Sequence, residues 1–433
     1  MSRLKALLRP LATHDNLRRY HWLQAAYAVL RFGRPARGML VFGITGTKGK
    51  TTSCHLLASI LEEAGYTVGL ATTVSFKIGS VEERNDTNMS VTAPYPLQKL
   101  LQRMRKAHVN AVVLEVTSIA LDQYRTLSIP FRYASFTNLA HDHLDYHETM
   151  ERYAEAKRLL FKVRSLKAVS ANIDDPLGQS FLDGSPAPQK VSFSRLGKAD
   201  VSARTIKEQP SGNRFTLVAG EERIPIRLQL PGLFSVSNAL CAASLAYAHG
   251  ISLAVIAKGL ESVSAVAGRL ELVPTERNFQ VMVDYAHTPD SLEQLYESLR
   301  NSVKGRLIAV LGATGDRDRT KRPIMGAIAG RLCDLVIITD EEPYTENPQS
   351  IIEAVAEGVP RGRNGARTNP GHGENSWWWK VPERRAGIEK ALHLASAGDM
   401  VVVTGMGAQH FRTIGTQKQP WNDREVITEL LHE

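Results

Sequence analysis

The stretch VFGITGTKGKTT, residues 41–52, constrains the fold more than any other part of the chain. It joins a short β-branched run, MLVFGIT (39–45), to TTSCHLLASILEEAGY (51–66), whose apolar residues recur at helical spacing. A glycine-rich turn between a strand and a helix lets backbone N–H groups and the positive helix end converge on phosphate oxygens. The common spacing, glycine, four residues, Gly-Lys-Thr, would put a glycine at 44, where Ile44 stands; Gly43 is one place too far. Gly46, Gly49, Lys50 and Thr51 in this context still point to a nucleotide loop. Lys50 reaches the outer phosphates, Thr51 offers a hydroxyl to Mg²⁺, and Lys48 adds a cation beside them.

Further strands are expected at TVGLATTV (67–74), NAVVLEVT (110–117) and YASFTNL (133–139), each separated by helical pattern. That alternation implies a parallel, doubly wound sheet. Residues 190–230 change to short alternating runs, an antiparallel excursion, before the helical VSNALCAASLAYAHG (236–250). A second alternating unit starts near Arg269, with strands at FQVMVDYA, RLIAVLGAT, LVIITDEEP and DMVVVTGMG. The expected fold is α/β: a P-loop central ATPase domain with a parallel sheet, plus a C-terminal Rossmann-like domain. The expected division is a short basic amphipathic segment (1–38), a central ATP-binding domain (39–268) and a C-terminal ligase-type domain (269–433).

With 43% apolar and 22% charged residues the composition is that of a soluble globular protein, and no apolar run of about 18 residues appears. Cys54, Cys241 and Cys333 are widely spaced and fit a reducing, cytoplasmic setting. The net charge of +9 is uneven: residues 1–38 hold Arg3, Lys5, Arg9, Arg18, Arg19, Arg31, Arg34 and Arg37 against Asp15. Leu23, Tyr27 and Leu30 share one helical face there, expected to dock on the protein's own body, with a peripheral membrane contact as the other reading. RGRNGARTNPGHGENSWWWK (361–380) reads as a surface loop whose tryptophans cap an apolar patch, and nucleic acid is not an expected partner.

Glu115 ends the strand VVLEV, and a carboxylate there, beside a phosphate loop, is a natural Mg²⁺ ligand with Thr51. His141, Asp142, His143, Asp145 and His147 crowd seven positions, without cysteines and too loosely for structural zinc. Lys157 follows on a helix with no evident pairing.

GITGTKGKTT, LEVTS, TNLAHDHLDYH, AEAKRLLF, GLFSVSNAL, GRLELV, VDYAHTPDSL and GATGDRDRTKRP resemble, in order and spacing, the motifs of the Mur ligase family. Within it the chain is most similar to the UDP-N-acetylmuramoyl-tripeptide synthetase branch, and the resemblance runs from about residue 39 to 433. Such ligases keep Gly-Thr-x-Gly-Lys-Thr without the first glycine of the common template, so the resemblance makes residues 46–52 (Gly46, Thr47, Lys48, Gly49, Lys50, Thr51, Thr52) an ATP loop. It implies that Lys50 holds the β- and γ-phosphates, that Thr51 and Glu115 bind one Mg²⁺, and that His143 binds a second with carbamylated Lys157. It implies Asn238 at the adenine, Asp284 at the ribose and Arg269 at an interdomain hinge. Asp316, Arg317, Lys321 and Arg322 match a charged loop that closes on the reaction centre. Thr92, Pro94, Thr117, Ser118 and Arg125 match the side that contacts the nucleotide-sugar or lipid-linked peptide acceptor.

Three departures stand out. The residues before 39 are too few for a nucleotide-sugar-binding domain of the family's kind. The Asp-Asn-Pro-Arg stretch of diaminopimelate-adding members reads EEPY, with Tyr344 in place of the arginine that grips the distal carboxylate, and Gly-Lys-Gly-His-Glu becomes GMGAQ, with Gln409 for the glutamate. A phenol cannot make a bidentate, charge-assisted clamp, so meso-diaminopimelate is not the expected substrate. Ile119 replaces a histidine. The activity implied is ATP-dependent amide ligation of a free amino acid to a muramyl-peptide-type acceptor through an acyl phosphate. A polyglutamate-type synthetase and a non-ligating ATP-binding subunit are the alternatives.

Overall fold

The computed structural model describes residues 14–433 apart from 88, 210, 361, 364–365 and 368–376. Arg3, Lys5 and Arg9 of the basic segment, and most of the loop expected at 361–380, lie outside the described residues.

Two sheets organise the chain. The larger contains β1 (Leu40–Thr45), β2 (Val68–Ala71), β3 (Ser75–Ile78), β4 (Val81–Arg84), β5 (Ala111–Glu115), β6 (Phe131–Phe136), β7 (Ala168–Asn172), β8 (Gln189–Ser194), β9 (Val201–Gln209), β10 (Gly212–Ala219) and β11 (Glu222–Leu228). Their order is β11-β10-β9-β8-β7-β6-β1-β5-β2-β3-β4. The run from β9 to β2 is parallel, and β2-β3-β4 and β9-β10-β11 extend it antiparallel at either end. The central strands read as apolar runs because both faces are covered. One face packs under the helices Lys50–Glu63 and Leu233–Ala248, the other under Pro94–Lys106 and Met150–Phe161.

β1 sits between β5 and β6, so the chain leaves β1 towards β2 and later returns to its other side. Open α/β sheets bind ligands outside the carboxyl ends of strands at such a reversal. Ile44 lies within β1 and is fully buried, and Gly43 is there for packing: a Cβ on it would meet the Phe131 ring at 2.7 Å. Neither position faces the loop, which is why the first glycine of the common template is dispensable.

The second sheet holds β12 (Glu271–Val273), β13 (Gln280–Asp284), β14 (Leu307–Leu311), β15 (Leu335–Ile338), β16 (Trp378–Lys380) and β17 (Met400–Thr404), in the order β12-β13-β17-β14-β15-β16. Only β12 pairs antiparallel. Apolar clusters fill both faces. A hairpin of β18 (Phe411–Ile414) and β19 (Gln417–Pro420) had no counterpart in the sequence reading.

The helix His14–Phe32 corrects an expectation. Its buried face is Ala25 and Ala28, whose small side chains permit close approach to the helix Pro94–Lys106. Leu23, Tyr27 and Leu30, expected to dock inward, are 61%, 62% and 84% exposed. Among the described residues, no helix is long and apolar enough to cross a membrane.

Candidate functional site

The loop after β1 is shaped by two glycines and held by the end of β6. Gly46 and Gly49 have φ of +149° and +79°. A Cβ on Gly46 would lie 1.8 Å from Thr137 Oγ1, and one on Gly49 2.1 Å from Asn238 Oδ1, so neither position admits a side chain. Thr47 N–H donates to Asn138 O, Lys48 N–H to Asn138 Oδ1, and the Thr137 hydroxyl to Lys48 O at 2.7 Å. Thr137 and Asn138 therefore set the loop's shape, a role that the TNL run does not disclose in sequence.

Three amines surround the loop. Lys50 Nζ donates to Thr47 O at 2.7 Å, and burial lowers its pKa. Lys157, on the helix Met150–Phe161, donates to Gly46 O at 2.7 Å and lies 4.2 Å over the Tyr153 ring. Burial, then Lys50, pushes its pKa well below the ordinary lysine value. Lys48 Nζ is buried with no hydrogen-bond partner, and burial lowers its pKa to about 8. A buried cation facing a cavity without a partner is suited to an incoming anion.

Oxygen ligands gather opposite the amines. The Thr51 hydroxyl donates to Glu115 Oε2 at 3.0 Å, and the same oxygen accepts from Thr73 N–H at 3.0 Å. Arg269 reaches in from the C-terminal side, its Nη2 3.3 Å from Thr51 Oγ1 and its guanidinium 4.4 Å from the Tyr285 ring centroid. A hydroxyl and a carboxylate converging beside a phosphate loop are the hard oxygen donors Mg²⁺ prefers, so these residues fit that ion. His143, at φ +55°, has Nε2 3.7 Å from Asp142 Oδ2 and its ring 6.1 Å from that of Tyr153. Burial works to raise the Asp142 pKa, but His143, His287 and Lys50 hold it below the usual value. His147 turns away, buried against Ser118 Oγ at 2.9 Å. Among the described residues no three His, Cys, Asp or Glu side chains converge as a metal cluster.

Thr47, Lys48, Gly49, Lys50, Thr51, Thr52, Glu115, Thr117, Arg125, His143, Asn238, Arg269 and Asp284 line one cavity of about 860 Å³ between the two sheets. Asn238 comes from the helix Leu233–Ala248 and abuts Gly49. Asp284, at the end of β13, accepts from Leu270 and Ala286 N–H at 2.8 and 2.7 Å, tying the segment around Arg269 to the second sheet. Thr92, Pro94 and Ser118 are buried beside the cavity without lining it; Ser90 and Val91 take that place. Gln409 lines a small recess with Arg269 and Tyr285. Tyr344 stands apart, bridged to Ile414 of β18 with Arg317 over its ring at 5.5 Å.

The charged loop departs from expectation. Arg322 is buried and paired with Glu346 at 2.9 Å, Asp316 accepts from Thr345, and Lys321 donates to His287 O at 2.9 Å. None of Asp316, Arg317, Lys321 or Arg322 lines the cavity. Sequence reasoning missed His287, which does line it. The His287 Nδ1 lies 2.7 Å from Tyr285 O, and burial lowers its pKa to about 4, so it is a neutral imidazole at the cavity wall.

A strand–loop–helix with a cationic, oxygen-ligand-bearing cleft, closed by a second α/β unit, is the architecture of an ATP-dependent ligase. Models of the Mur ligase middle domain and of the Mur ligase, glutamate ligase domain match residues 44–246 and 268–407. The chain belongs to the Mur ligase family, ATP-dependent acid–amino-acid ligases. It is 37% identical over 404 residues to the UDP-N-acetylmuramoyl-L-alanyl-D-glutamate–2,6-diaminopimelate ligase of Clostridium botulinum, covering 93% of this chain and 80% of that one. The ligase of the same name from Bacillus licheniformis is 38% identical over 411 residues, with the same coverages. A solved UDP-N-acetylmuramoyl-L-alanyl-D-glutamate–2,6-diaminopimelate ligase superposes with a TM-score of 0.65 at 28% identity, over 97% of this chain and 83% of that one. Mycobacterium tuberculosis folylpolyglutamate synthase, complexed with ADP, superposes with a TM-score of 0.71 at 17% identity, over 93% and 95%, a likeness of fold.

Proposed function

We propose that this chain joins an amino acid to the carboxylate end of a UDP-linked muramyl peptide, releasing ADP and phosphate. The observation that carries this reading is the Thr51–Glu115 oxygen pair, 3.0 Å apart, beside Lys50 in a cavity of about 860 Å³ between the two sheets. The acceptor carboxylate attacks the γ-phosphorus of ATP, the bond to the bridging oxygen of ADP breaks, and an acyl phosphate forms. The amine then adds to the acyl carbon, loses a proton and expels phosphate.

An anion attacking a polyanion is the difficulty, and positive charge fixed before the reaction offsets it. Lys50 and Lys48 hold the phosphates, and the backbone N–H groups of residues 49–52, at the start of the helix, complete the cradle. Thr51 and Glu115 hold Mg²⁺, which supplies further neutralisation of the triphosphate. His143 and Lys157 hold a second ion, with Lys157 as its carbamate. Burial and the neighbouring Lys50 charge both favour the neutral amine at Lys157, the form that adds to carbon dioxide, which supports that modification. Asn238 orients the adenine and Asp284 the ribose, and neutral His287, whose Nδ1–H is committed to Tyr285 O, accepts at the nucleotide through Nε2 without titrating. Thr117 and Arg125, with Thr92, Pro94 and Ser118 behind them, position the acceptor; Gln409, in the recess beside Arg269, faces the incoming amino acid, and Tyr344, outside the cavity, meets its far end when the domains close. Residues 39–268 and 269–433 act as two domains about Arg269, and their closure shields the acyl phosphate from water.

The relatives from Clostridium botulinum and Bacillus licheniformis are named for 2,6-diaminopimelate. Tyr344 offers no charge to a distal carboxylate, so the amino acid proposed here is one without it. Phosphate release should be measured with UDP-linked muramyl dipeptide, muramyl dipeptide lacking UDP, and a folate acceptor, each against neutral, basic and diamino acids. Release that requires the UDP-linked acceptor and an amine supports the reading; release with folate and glutamate alone rejects it.

A further inference from the structure

The ligase site makes no use of the helix His14–Phe32, whose outer face is left uncovered by the described residues. Tyr20, Leu23, Tyr27 and Leu30 follow a three-four-three spacing, which places them in one stripe at 100° per residue. The stripe lies opposite Ala25 and Ala28, and all four of its side chains are exposed, Leu30 by 84%. By the same rotation Arg19 borders it on one side and Arg31 on the other. No acidic residue occurs between Asp15 and Glu62, while Arg34 and Arg37 continue the positive charge past the helix end. The orientation is held from behind. Arg18 Nη2 donates to Tyr124 OH at 3.0 Å, and the Phe32 ring stands edge-on to Tyr95 at 4.8 Å.

An apolar stripe with arginines on both rims, and with Asp15, one turn before Arg19, as the one acid of the helix, fits a flat apolar region bordered by anions. A second copy of the chain would fit poorly, because its own rims would set arginine against arginine with Asp15, at one end of the helix, as the one acid to offset them. We propose that this face docks on the surface of an anionic lipid bilayer. The stripe sits at the boundary between headgroups and acyl chains, and Arg19 and Arg31 rest on lipid phosphates, with the helix lying in the membrane plane.

The test is co-sedimentation of the full chain with vesicles of phosphatidylglycerol in phosphatidylcholine, and with vesicles of phosphatidylcholine alone. The wild type should sediment with the first and not the second, and release as salt is raised. Leu23→Ser/Leu30→Ser and Arg19→Glu/Arg31→Glu should each lower the bound fraction by about tenfold or more, with Tm and ATP turnover unchanged. Absence of binding to anionic vesicles would overturn the proposal, as would binding unaltered in both variants. Conversion of a dimer to a monomer by Leu23→Ser/Leu30→Ser, with vesicle binding intact, would overturn it in favour of a second copy.

Discussion

Lys48 and Lys157 are both buried amines of the phosphate-loop neighbourhood, and their surroundings give them different tasks. Lys48 has no partner and a pKa near 8, so it carries its charge below that pH and loses it above. Nucleotide affinity should therefore weaken several-fold between about pH 7 and 9, and Lys48→Gln should flatten that dependence; titration calorimetry at the two ends reads both. Lys157 already has an acceptor in Gly46 O, and burial, then the charge of Lys50, shifts its amine towards the neutral form. Lys157→Ala should abolish phosphate release, and short carboxylic acids should restore part of it if a carbamate is the working form. The side chains of the cleft were largely legible because their types recur at motif spacing. Lys48's missing partner was not, since it depends on Thr137 and Asn138, nearly ninety positions away.

At the scale of elements, the loop's shape rests on two glycines. Gly46→Ala and Gly49→Ala each force a Cβ onto a side chain across the loop and hold a left-handed or neighbouring φ, a strain of about 1–2 kcal/mol for the backbone alone. Both variants should lose ATP turnover with a modest fall in Tm, whereas Gly43→Ala, pressed against Phe131, should destabilise without touching the phosphate site. The central parallel strands could be read from their apolar runs. β7 could not: AVSAN carries Ser170, buried because its hydroxyl donates to Ser135 at 2.8 Å and accepts from Ser244 at 3.0 Å. A polar residue satisfied by two others from distant segments looks exposed in sequence and is not. The N-terminal helix failed for the opposite reason, since two alanines sufficed to bury it and left the larger apolar residues outside.

At the scale of the molecule, the two sheets meet over the cleft, and Arg269 is the side chain that reaches across to the phosphate loop. Arg269→Ala should lower turnover at least about tenfold with little change in Tm, because it removes a contact made at the site and not in either core. Within the second unit, Arg384 and Asp423 form a fully buried bidentate pair, 2.6 and 2.8 Å apart at their two contacts. Removing one partner strands the other, so Asp423→Ala should cost about 3–5 kcal/mol in denaturant melts. The order of the two units was visible in the sequence, and the way the second one covers the first was not, because that depends on single residues at a hinge. The central claim is that Lys50, Thr51 and Glu115 assemble around ATP to drive amide formation. Phosphate release with UDP-linked muramyl dipeptide and a cognate amino acid should be coupled one-to-one to ligated product, and Lys50→Ala should abolish both. Phosphate release that proceeds without acceptor, or persists in Lys50→Ala, would contradict it.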